Sequence, residues 1–145
     1  MKLVTPPEAQ AALEADERTV YLDVRTVQEF AAGHAAGAIN LPVMTRDPSG
    51  MMMPNRDFIA IAEKVLDKTQ PVLCGCMSGG RSQAAAKMLL DHGFDDVTNI
   101  LGGWGGGGDP RTGQRVSGWL ASGLPTSTDV DDETSYEALR RKAGL

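Results

Sequence analysis

The chain has 145 residues, which is enough for one domain with a buried core. Its composition, 41% hydrophobic and 23% charged, is typical of globular proteins and argues against a disordered chain. The net charge of −5 argues against nucleic acid as a partner, and no apolar run reaches the length of a membrane-spanning helix. No apolar stretch follows Lys2, so the sequence predicts no secretory signal.

The cysteine content indicates a reduced protein without a zinc site. Cys74 and Cys76 are the only cysteines, and they lie too close together in the chain for an ordinary disulfide. Zinc would need several further ligands, and the sequence offers only His34 and His92 as histidines. We therefore expect a cytoplasmic protein, and we interpret it as a monomer.

In chain order, apolar runs of strand length alternate with helical patterns. Residues 5–8, Thr-Pro-Pro-Glu, form a capping box that starts a first helix. Residues 26–29 form a second capping box, whose short helix ends at Gly33. Further helices are predicted over residues 56–68 and 82–92. The predicted strands are residues 19–24, 38–41, 71–74 and 96–100.

This alternation predicts the α/β class, with a central, mostly parallel sheet that is covered by helices on both faces. Ligands of such sheets bind beyond the carboxyl ends of the strands. Cys76 comes directly after the strand of residues 71–74. We therefore expect Cys76 to lie at the ligand-binding edge of the sheet.

The stretch of residues 71–82, Pro-Val-Leu-Cys-Gly-Cys-Met-Ser-Gly-Gly-Arg-Ser, carries the strongest chemical signal. A strand leads Cys76 into a tight turn through Gly79 and Gly80, and a helix follows. The N-terminus of a helix binds anions and favours a thiolate. Arg81 adds a planar cation that fits an oxyanion. This combination predicts nucleophilic attack by Cys76 on a substrate that bears an oxyanion.

The same stretch resembles the active-site loop of rhodanese (thiosulfate sulfurtransferase) domains, and two other blocks agree with it. Residues 21–42 contain Tyr-Leu-Asp-Val-Arg-Thr, Glu-Phe, Gly-His and Gly-Ala-Ile-Asn-Leu-Pro, which are similar to the family's amino-terminal signature. Residues 101–103, with Trp119 and residues 123–125, are similar to its carboxy-terminal signature. The three blocks occur in the order that the family shows.

The resemblance assigns residues 1–125 to one rhodanese-like domain with the family's three-layer fold. Residues 41–58 are most similar to the small single-domain members found in plants and photosynthetic bacteria. The resemblance also implies that Cys76 takes a sulfur atom from thiosulfate or a persulfide donor and passes it to cyanide or a thiol. It implies no metal and no organic cofactor. Five residues are implied to bind the substrate, the last of them holding the sulfonate of the donor: Met77, Ser78, Gly79, Gly80 and Arg81.

Two alternative functions use the same type of scaffold. Cysteine phosphatases and related arsenate reductases have the spacing Cys-x5-Arg, whereas four residues separate Cys76 from Arg81 and six separate Cys74 from Arg81. The other alternative is a non-catalytic module that binds a partner or carries sulfur, and a module that only binds a partner would be expected to lose the cysteine or the arginine of the loop. Both residues are present, and the sequence therefore favours a sulfurtransferase.

A glycine-rich insertion at residues 104–116 departs from the family pattern. Four consecutive glycines cannot form a regular element cheaply, so we expect a flexible loop whose removal leaves folding intact. Trp104 is a candidate wall of the site. Arg111 or Arg115 is a candidate contact for an anion, although an exposed arginine is usually only solvated.

Two other segments are less regular than the rest of the domain. Residues 43–55 are predicted to be an irregular loop, with three adjacent methionines that either line a mobile lip beside the site or pack beneath it. Residues 126–145 lie beyond the end of the family pattern. They comprise an acidic linker and a possible short helix over residues 135–142, which either docks on the domain or frays.

The remaining polar residues are interpreted as structural. Asp23 and Arg25 stand at a strand end and are predicted to form an ion pair. His34 is interpreted as a hydrogen-bonded scaffold residue and not as a base. Cys74 is interpreted as a buried structural thiol, with a resolving thiol as the alternative. No residue is an obvious general base, as expected where a thiolate attacks a soft sulfur atom.

Overall fold

The computed structural model describes all of residues 1–145. The helices are α1 (Pro6–Ala15), α2 (Val27–Ala32), α3 (Phe58–Val65), α4 (Gly80–Asp91) and α5 (Tyr136–Lys142). The strands are β1 (Lys2–Val4), β2 (Val20–Asp23), β3 (His34–Ala35), β4 (Ile39–Asn40), β5 (Met44–Arg46), β6 (Met52–Pro54), β7 (Val72–Gly75), β8 (Val97–Ile100), β9 (Gly107–Gly108), β10 (Arg115–Val116) and β11 (Thr126–Ser127). None of the helices is long and apolar enough to cross a membrane.

Five parallel strands form the central sheet, in the order β1-β8-β7-β2-β4. The sequence predicts four of them and misses β1, whose three residues are too few to show a pattern and which is defined by its pairing with β8. In the register, Asp23 of β2 lies beside Gly75 of β7, and Asn99 of β8 lies beside Cys74. The carboxyl ends of β2, β7 and β8 therefore meet at one edge of the sheet.

Helices cover both faces of the sheet, which confirms the predicted three-layer α/β fold. On one face, α3, α4 and α5 enclose a core that includes Leu22, Val24, Phe58, Ile61, Cys74, Ala85, Leu89 and Leu139. On the other face, α1 and α2 enclose a smaller core that includes Ala9, Tyr21, Phe30, Leu73, Ile100 and Trp119. Both predicted capping boxes form, at the starts of α1 and α2.

The helix after the active-site turn begins earlier than the sequence predicts. α4 starts at Gly80 and not at Ser82, so that Gly80 and Arg81 belong to its first turn. The buried face of α4 consists of Ser82, Ala85, Ala86 and Leu89, whereas the predicted His92 is exposed. The earlier start brings the unpaired amides of the helix N-terminus next to Cys76.

The two less regular segments are both ordered into elements. Residues 43–55, predicted to be irregular, contain the hairpin β5–β6, with Met51 63% and Met53 42% exposed. The predicted C-terminal helix forms as α5 and docks through the buried Leu139. Arg140 pairs with Asp57 at 3.0 Å, and the Thr134 carbonyl accepts a hydrogen bond from the amide of Asn40 in the edge strand β4.

Candidate active site

Strand β7 delivers Cys76 to the carboxyl edge of the sheet, as the sequence predicts. The active-site loop, residues 76–79, connects β7 to α4. Gly79 has φ 118°, which is in the left-handed region, so that a glycine is needed where the chain turns into the helix. Neighbouring strands on both sides hold β7 in place, and the position of Cys76 is therefore fixed by the sheet.

The sulfur of Cys76 is turned inward and is surrounded by polar groups of the loop. The Gly79 amide donates a hydrogen bond to Sγ at 3.0 Å, and the Ser82 hydroxyl oxygen lies 3.3 Å from Sγ. Only 2% of Cys76 is exposed. A slender substrate group, such as a terminal sulfur atom, is therefore the kind that fits next to Sγ.

Ser82 and Asn99 form a polar pair behind the sulfur that the sequence analysis does not identify. Both residues are buried. The Ser82 hydroxyl lies 2.5 Å from Asn99 Oδ1 and 3.1 Å from the Gly79 carbonyl oxygen. Asn99 belongs to β8, whose register with β7 places it beside Cys74. The Ser82 hydroxyl has one hydrogen, which Asn99 Oδ1 or the Gly79 carbonyl oxygen can accept. If Cys76 is a thiolate, its sulfur becomes a third possible acceptor.

The first turn of α4 supplies free hydrogen-bond donors near Cys76. The amides of Gly80, Arg81 and Ser82 have no hydrogen-bond partner in the protein, as expected for the first turn of a helix. Such a helix N-terminus carries the positive end of the helix dipole and attracts negative charge. The arrangement can bind anionic groups of a substrate next to Cys76.

Arg81 has a partner that the sequence analysis misses. Its Nη1 lies 2.6 Å from Glu29 Oε1 and its Nη2 lies 2.9 Å from Oε2, in a bidentate ion pair. The hydrogen bonds from Arg81 lower the pKa of Glu29 to about 2, so that this carboxylate is ionised at neutral pH. Glu29 also completes the capping box of α2, which is the only role that the sequence suggests for it. The Nε–H group of Arg81 and one hydrogen on each Nη remain free.

Cys74 lies in surroundings that suppress ionisation. It is fully buried in β7 and belongs to the apolar core. Burial, with a smaller contribution from Cys76, raises the pKa of the Cys74 thiol to about 12. Both cysteines are free thiols. These properties fit the interpretation of Cys74 as a structural thiol.

The predicted ion pair of Asp23 and Arg25 forms and is almost completely buried. Arg25 Nη2 lies 2.8 Å from Asp23 Oδ2, and the same nitrogen donates a hydrogen bond to the Gly33 carbonyl at 2.7 Å. The Arg25 guanidinium lies 5.1 Å from the ring centre of Trp104. His34 is buried, and its Nδ1 lies 2.7 Å from the Phe30 carbonyl oxygen, consistent with the predicted scaffold role.

The glycine-rich insertion contains a regular hairpin that the sequence does not predict. Strands β9 and β10 pair as an antiparallel hairpin. The amides of Trp104 and Gly105 donate hydrogen bonds of 2.8 Å to the carbonyls of Cys76 and Met77. The sequence does not predict this hairpin, because the glycines make their contacts through the backbone and leave no side-chain pattern. Arg111 pairs with Asp109 inside the hairpin, at 3.0 Å.

The ring of Trp104 packs against Gly33 and Arg25, at the connection from β2 to α2. Its backbone amide holds the Cys76 carbonyl. Met77 is 37% exposed at the start of the loop. Trp104 therefore lies next to the loop and Met77 belongs to the loop. The roles of both residues in substrate binding stay predictions.

Comparison with known proteins gives a consistent result. A model of the family "Rhodanese-like domain" matches residues 5–107. The chain is 43% identical over 106 residues to thiosulfate sulfurtransferase 16, chloroplastic, of Arabidopsis thaliana, which covers 73% of this chain and 78% of that protein. It is 38% identical over 99 residues to thiosulfate sulfurtransferase GlpE of Pseudomonas putida, which covers 68% of this chain and 78% of that protein.

Other comparisons differ in how much of each protein they cover. Three further plant relatives are longer, and the chain spans only 45 to 49% of them. The crystal structure of Rv0390 from M. tuberculosis is similar with a TM-score of 0.72 and 28% identity, and the match covers 89% of this chain and 98% of that one. The chain therefore belongs to the rhodanese-like domain family.

Proposed function

We propose that this protein transfers sulfane sulfur from thiosulfate or a persulfide donor to a thiol or cyanide, through a persulfide on Cys76. The observation that carries the proposal is the hydrogen bond of 3.0 Å from the Gly79 amide to Cys76 Sγ, beside the N-terminus of α4. A sulfur that accepts a backbone hydrogen bond at a helix N-terminus is favoured in its anionic form. The names of two relatives, both thiosulfate sulfurtransferases, support the same reaction.

In the first half of the proposed reaction, the Cys76 thiolate attacks the outer sulfur of thiosulfate. A bond forms between the two sulfur atoms, and the sulfur–sulfur bond of thiosulfate breaks. Sulfite leaves with the electron pair, and Cys76 carries a persulfide anion. The unpaired amides of Gly80, Arg81 and Ser82 stabilise this negative charge, as the donors of an oxyanion hole do.

In the second half, the acceptor attacks the outer sulfur of the persulfide. With cyanide, thiocyanate leaves and the electron pair returns to Cys76 Sγ, so no proton has to move. The Ser82 hydroxyl, 3.3 Å from Sγ, donates a hydrogen bond to the thiolate as the negative charge returns to it. This role assigns a function to the one hydroxyl that is buried beside the sulfur.

Arg81 binds the sulfonate of thiosulfate in this proposal. Glu29 occupies one edge of the guanidinium, and the Nε edge has free donors that fit two oxygens of a sulfonate. Met77, Ser78, Gly79 and Gly80 would complete the binding site. We extend the proposal to a monomer that works in the reduced cytoplasm, with small-molecule substrates and without nucleic acid or a membrane as a partner.

The test is the intact mass of the protein after incubation with thiosulfate. The proposal predicts a gain of one sulfur atom, which cyanide or a thiol reductant removes with release of thiocyanate or sulfide. The Cys74→Ser variant should gain the same sulfur atom. A protein that gains no sulfur from either thiosulfate or a persulfide donor would contradict the proposed function.

A further inference from the structure

Gly103 and the first four residues of the glycine-rich insertion lie against the active-site loop; we call this segment, residues 103–107, the backing segment. The Trp104 amide bonds to the Cys76 carbonyl and the Gly105 amide bonds to the Met77 carbonyl, both at 2.8 Å. A Cβ atom added at Gly107 would come closer than 3.0 Å to the Ser78 carbonyl oxygen. Three consecutive carbonyls of the loop thus face the backing segment.

The direction of these carbonyls determines where the loop amides point. In a planar trans peptide, the carbonyl of one residue and the amide of the next point in opposite directions. Since the carbonyls of residues 76–78 point to the backing segment, the amides of residues 77–79 point away from it. The Gly79 amide shows the consequence, because it donates its hydrogen bond to Cys76 Sγ.

The backing segment is itself held from behind. The Trp119 amide donates a hydrogen bond of 2.8 Å to the Gly103 carbonyl. A Cβ atom added at Gly118 would come closer than 3.0 Å to the Trp104 carbonyl oxygen. The active-site loop, the backing segment and residues 116–120 therefore form three layers of backbone in direct contact, which leaves the middle layer little room to move.

We propose that the backing segment is a positioning element for the sulfur-transfer reaction, which orients the loop amides toward the sulfur of Cys76. The proposal rests on the proposed function. It extends the set of residues that assist the reaction from the loop to the insertion. Glycine is required at Gly103 and Gly107 because any side chain there would collide with a backbone carbonyl of the loop. Close contact with the backbone of the loop thus explains the glycines at positions 103 and 107, whereas Gly108 has open space beside it.

Two neighbouring glycines provide a matched test. Gly107→Ala places a methyl group against the Ser78 carbonyl, whereas Gly108→Ala, in the same hairpin, finds no atom within 4 Å. Because a displacement of catalytic groups by about 1 Å can lower the rate roughly a hundredfold, kcat of Gly107→Ala should fall by this order, with a smaller change in KM for thiosulfate. Gly108→Ala should retain the wild-type kcat and KM.

The NMR signal of the Gly79 amide separates positioning from a general loss of stability. Gly107→Ala should move this signal and Gly108→Ala should not, with both variants measured below their melting temperatures. Equal kcat in the two variants, or an unmoved Gly79 signal in Gly107→Ala, would overturn the positioning role. Wild-type protein that transfers no sulfur at all would instead contradict the proposed function.

A measurement on the wild-type protein keeps the test open if Gly107→Ala does not fold. Scalar couplings through hydrogen bonds should be detected from the Trp104 and Gly105 amides to the carbonyl carbons of Cys76 and Met77. Their absence would show that the backing segment does not hold the loop, and would overturn the proposal. Their presence would support it without any substitution.

Discussion

Strand β7 and the loop that follows it each carry one cysteine, two residues apart, and they place the two thiols in opposite surroundings. Cys74, in the strand, is enclosed by apolar side chains, and burial raises the pKa of its thiol to about 12. Cys76, in the loop, has its sulfur bonded to the Gly79 amide and beside the Ser82 hydroxyl. The strand therefore protects a neutral thiol at Cys74, whereas the loop places polar groups around the sulfur of Cys76.

Exposure does not distinguish these two cysteines. Cys74 is 0% and Cys76 is 2% exposed, and both belong to the same apolar cluster. The difference lies in the hydrogen-bond donors around each sulfur. Cys74 lacks such donors, because the backbone groups of its strand bond to the neighbouring strands. The comparison teaches that polar contacts to sulfur, and not accessibility, distinguish the proposed nucleophile Cys76 from Cys74.

The largest expected effect comes from exchanging the two cysteines separately for serine. Cys76→Ser should abolish the formation of thiocyanate from thiosulfate and cyanide, because the persulfide has no sulfur to form on. Cys74→Ser should retain most of the activity, since Cys74 contributes only to packing. The steady-state rate of thiocyanate formation measures both. If Cys74→Ser were the inactive variant, the assignment of the nucleophile would be wrong.

The second effect concerns Arg81, the cation in the first turn of α4. Because a hydrogen bond to a charged group contributes about 1.5–3 kcal/mol, Arg81→Ala should lower kcat/KM for thiosulfate roughly ten- to a hundredfold. Arg81→Lys should also be a poor substitute, because lysine lacks the planar fork. The loss should be smaller with an organic persulfide, which has no sulfonate. The measurement is kcat/KM with both donors.

Glu29→Gln is the control for Arg81. This variant removes the ion pair between α2 and α4, because it lacks the carboxylate, but it keeps the arginine cation. Equal losses with the two donors in Arg81→Ala, reproduced by Glu29→Gln, would make Arg81 a structural clamp of the loop and would remove it from the substrate site.

A third and smaller effect is expected at Ser82. Ser82→Ala should slow the transfer of sulfur from the persulfide to cyanide about tenfold, because one hydrogen bond to the returning thiolate is lost. Formation of the persulfide should slow less. Rapid-mixing measurements of the two half-reactions separate these rates. Ser122→Ala, which removes a hydroxyl that bonds only to the Gly118 carbonyl, should leave both rates unchanged.

The smallest effect is a pH dependence of stability. The folded-state pKa of Glu29 is about 2, below its ordinary value of 4.5, because of the hydrogen bonds from Arg81. Its contribution to stability is therefore fully present above about pH 4.5 and is lost as the pH falls toward 2. Glu29→Gln should weaken the pH dependence of the free energy of unfolding in this range.

Urea unfolding at a series of pH values between 2 and 7 measures this dependence. Glu137→Gln is the matched control, because Glu137 also pairs with an arginine, Arg141, but its side chain is 84% exposed. Exposed pairs contribute little to stability, so this variant should follow the wild-type curve. Identical curves for Glu29→Gln and Glu137→Gln would show that the Arg81–Glu29 pair does not stabilise the fold.

The parts of the molecule that could be predicted from the sequence are those with a local signal. The apolar runs predict four of the five strands of the central sheet, and the capping boxes predict where α1 and α2 start. The order strand, Cys76, glycine turn and helix predicts the position of the thiol at the carboxyl edge of the sheet. Each of these signals lies within a dozen neighbouring residues.

The parts that could not be predicted depend on contacts between distant segments. Glu29 and Arg81 are 52 residues apart, and only the packing of α2 against the start of α4 brings them together. Asn99 reaches Ser82 because β7 and β8 are neighbours, and predicting this contact requires the register of the two strands. The backing segment has no side-chain pattern at all, since its contacts are made by the backbone.

The most direct test of the central claim is to locate the transferred sulfur within the protein. Wild-type protein is treated with thiosulfate, its thiols and persulfides are alkylated, and it is digested so that mass spectrometry of the peptide containing residues 71–81 assigns the extra sulfur by fragmentation. The account predicts the additional sulfur on Cys76, with Cys74 as an unmodified thiol. Sulfur on Cys74, or on neither cysteine after turnover with thiosulfate, would contradict it.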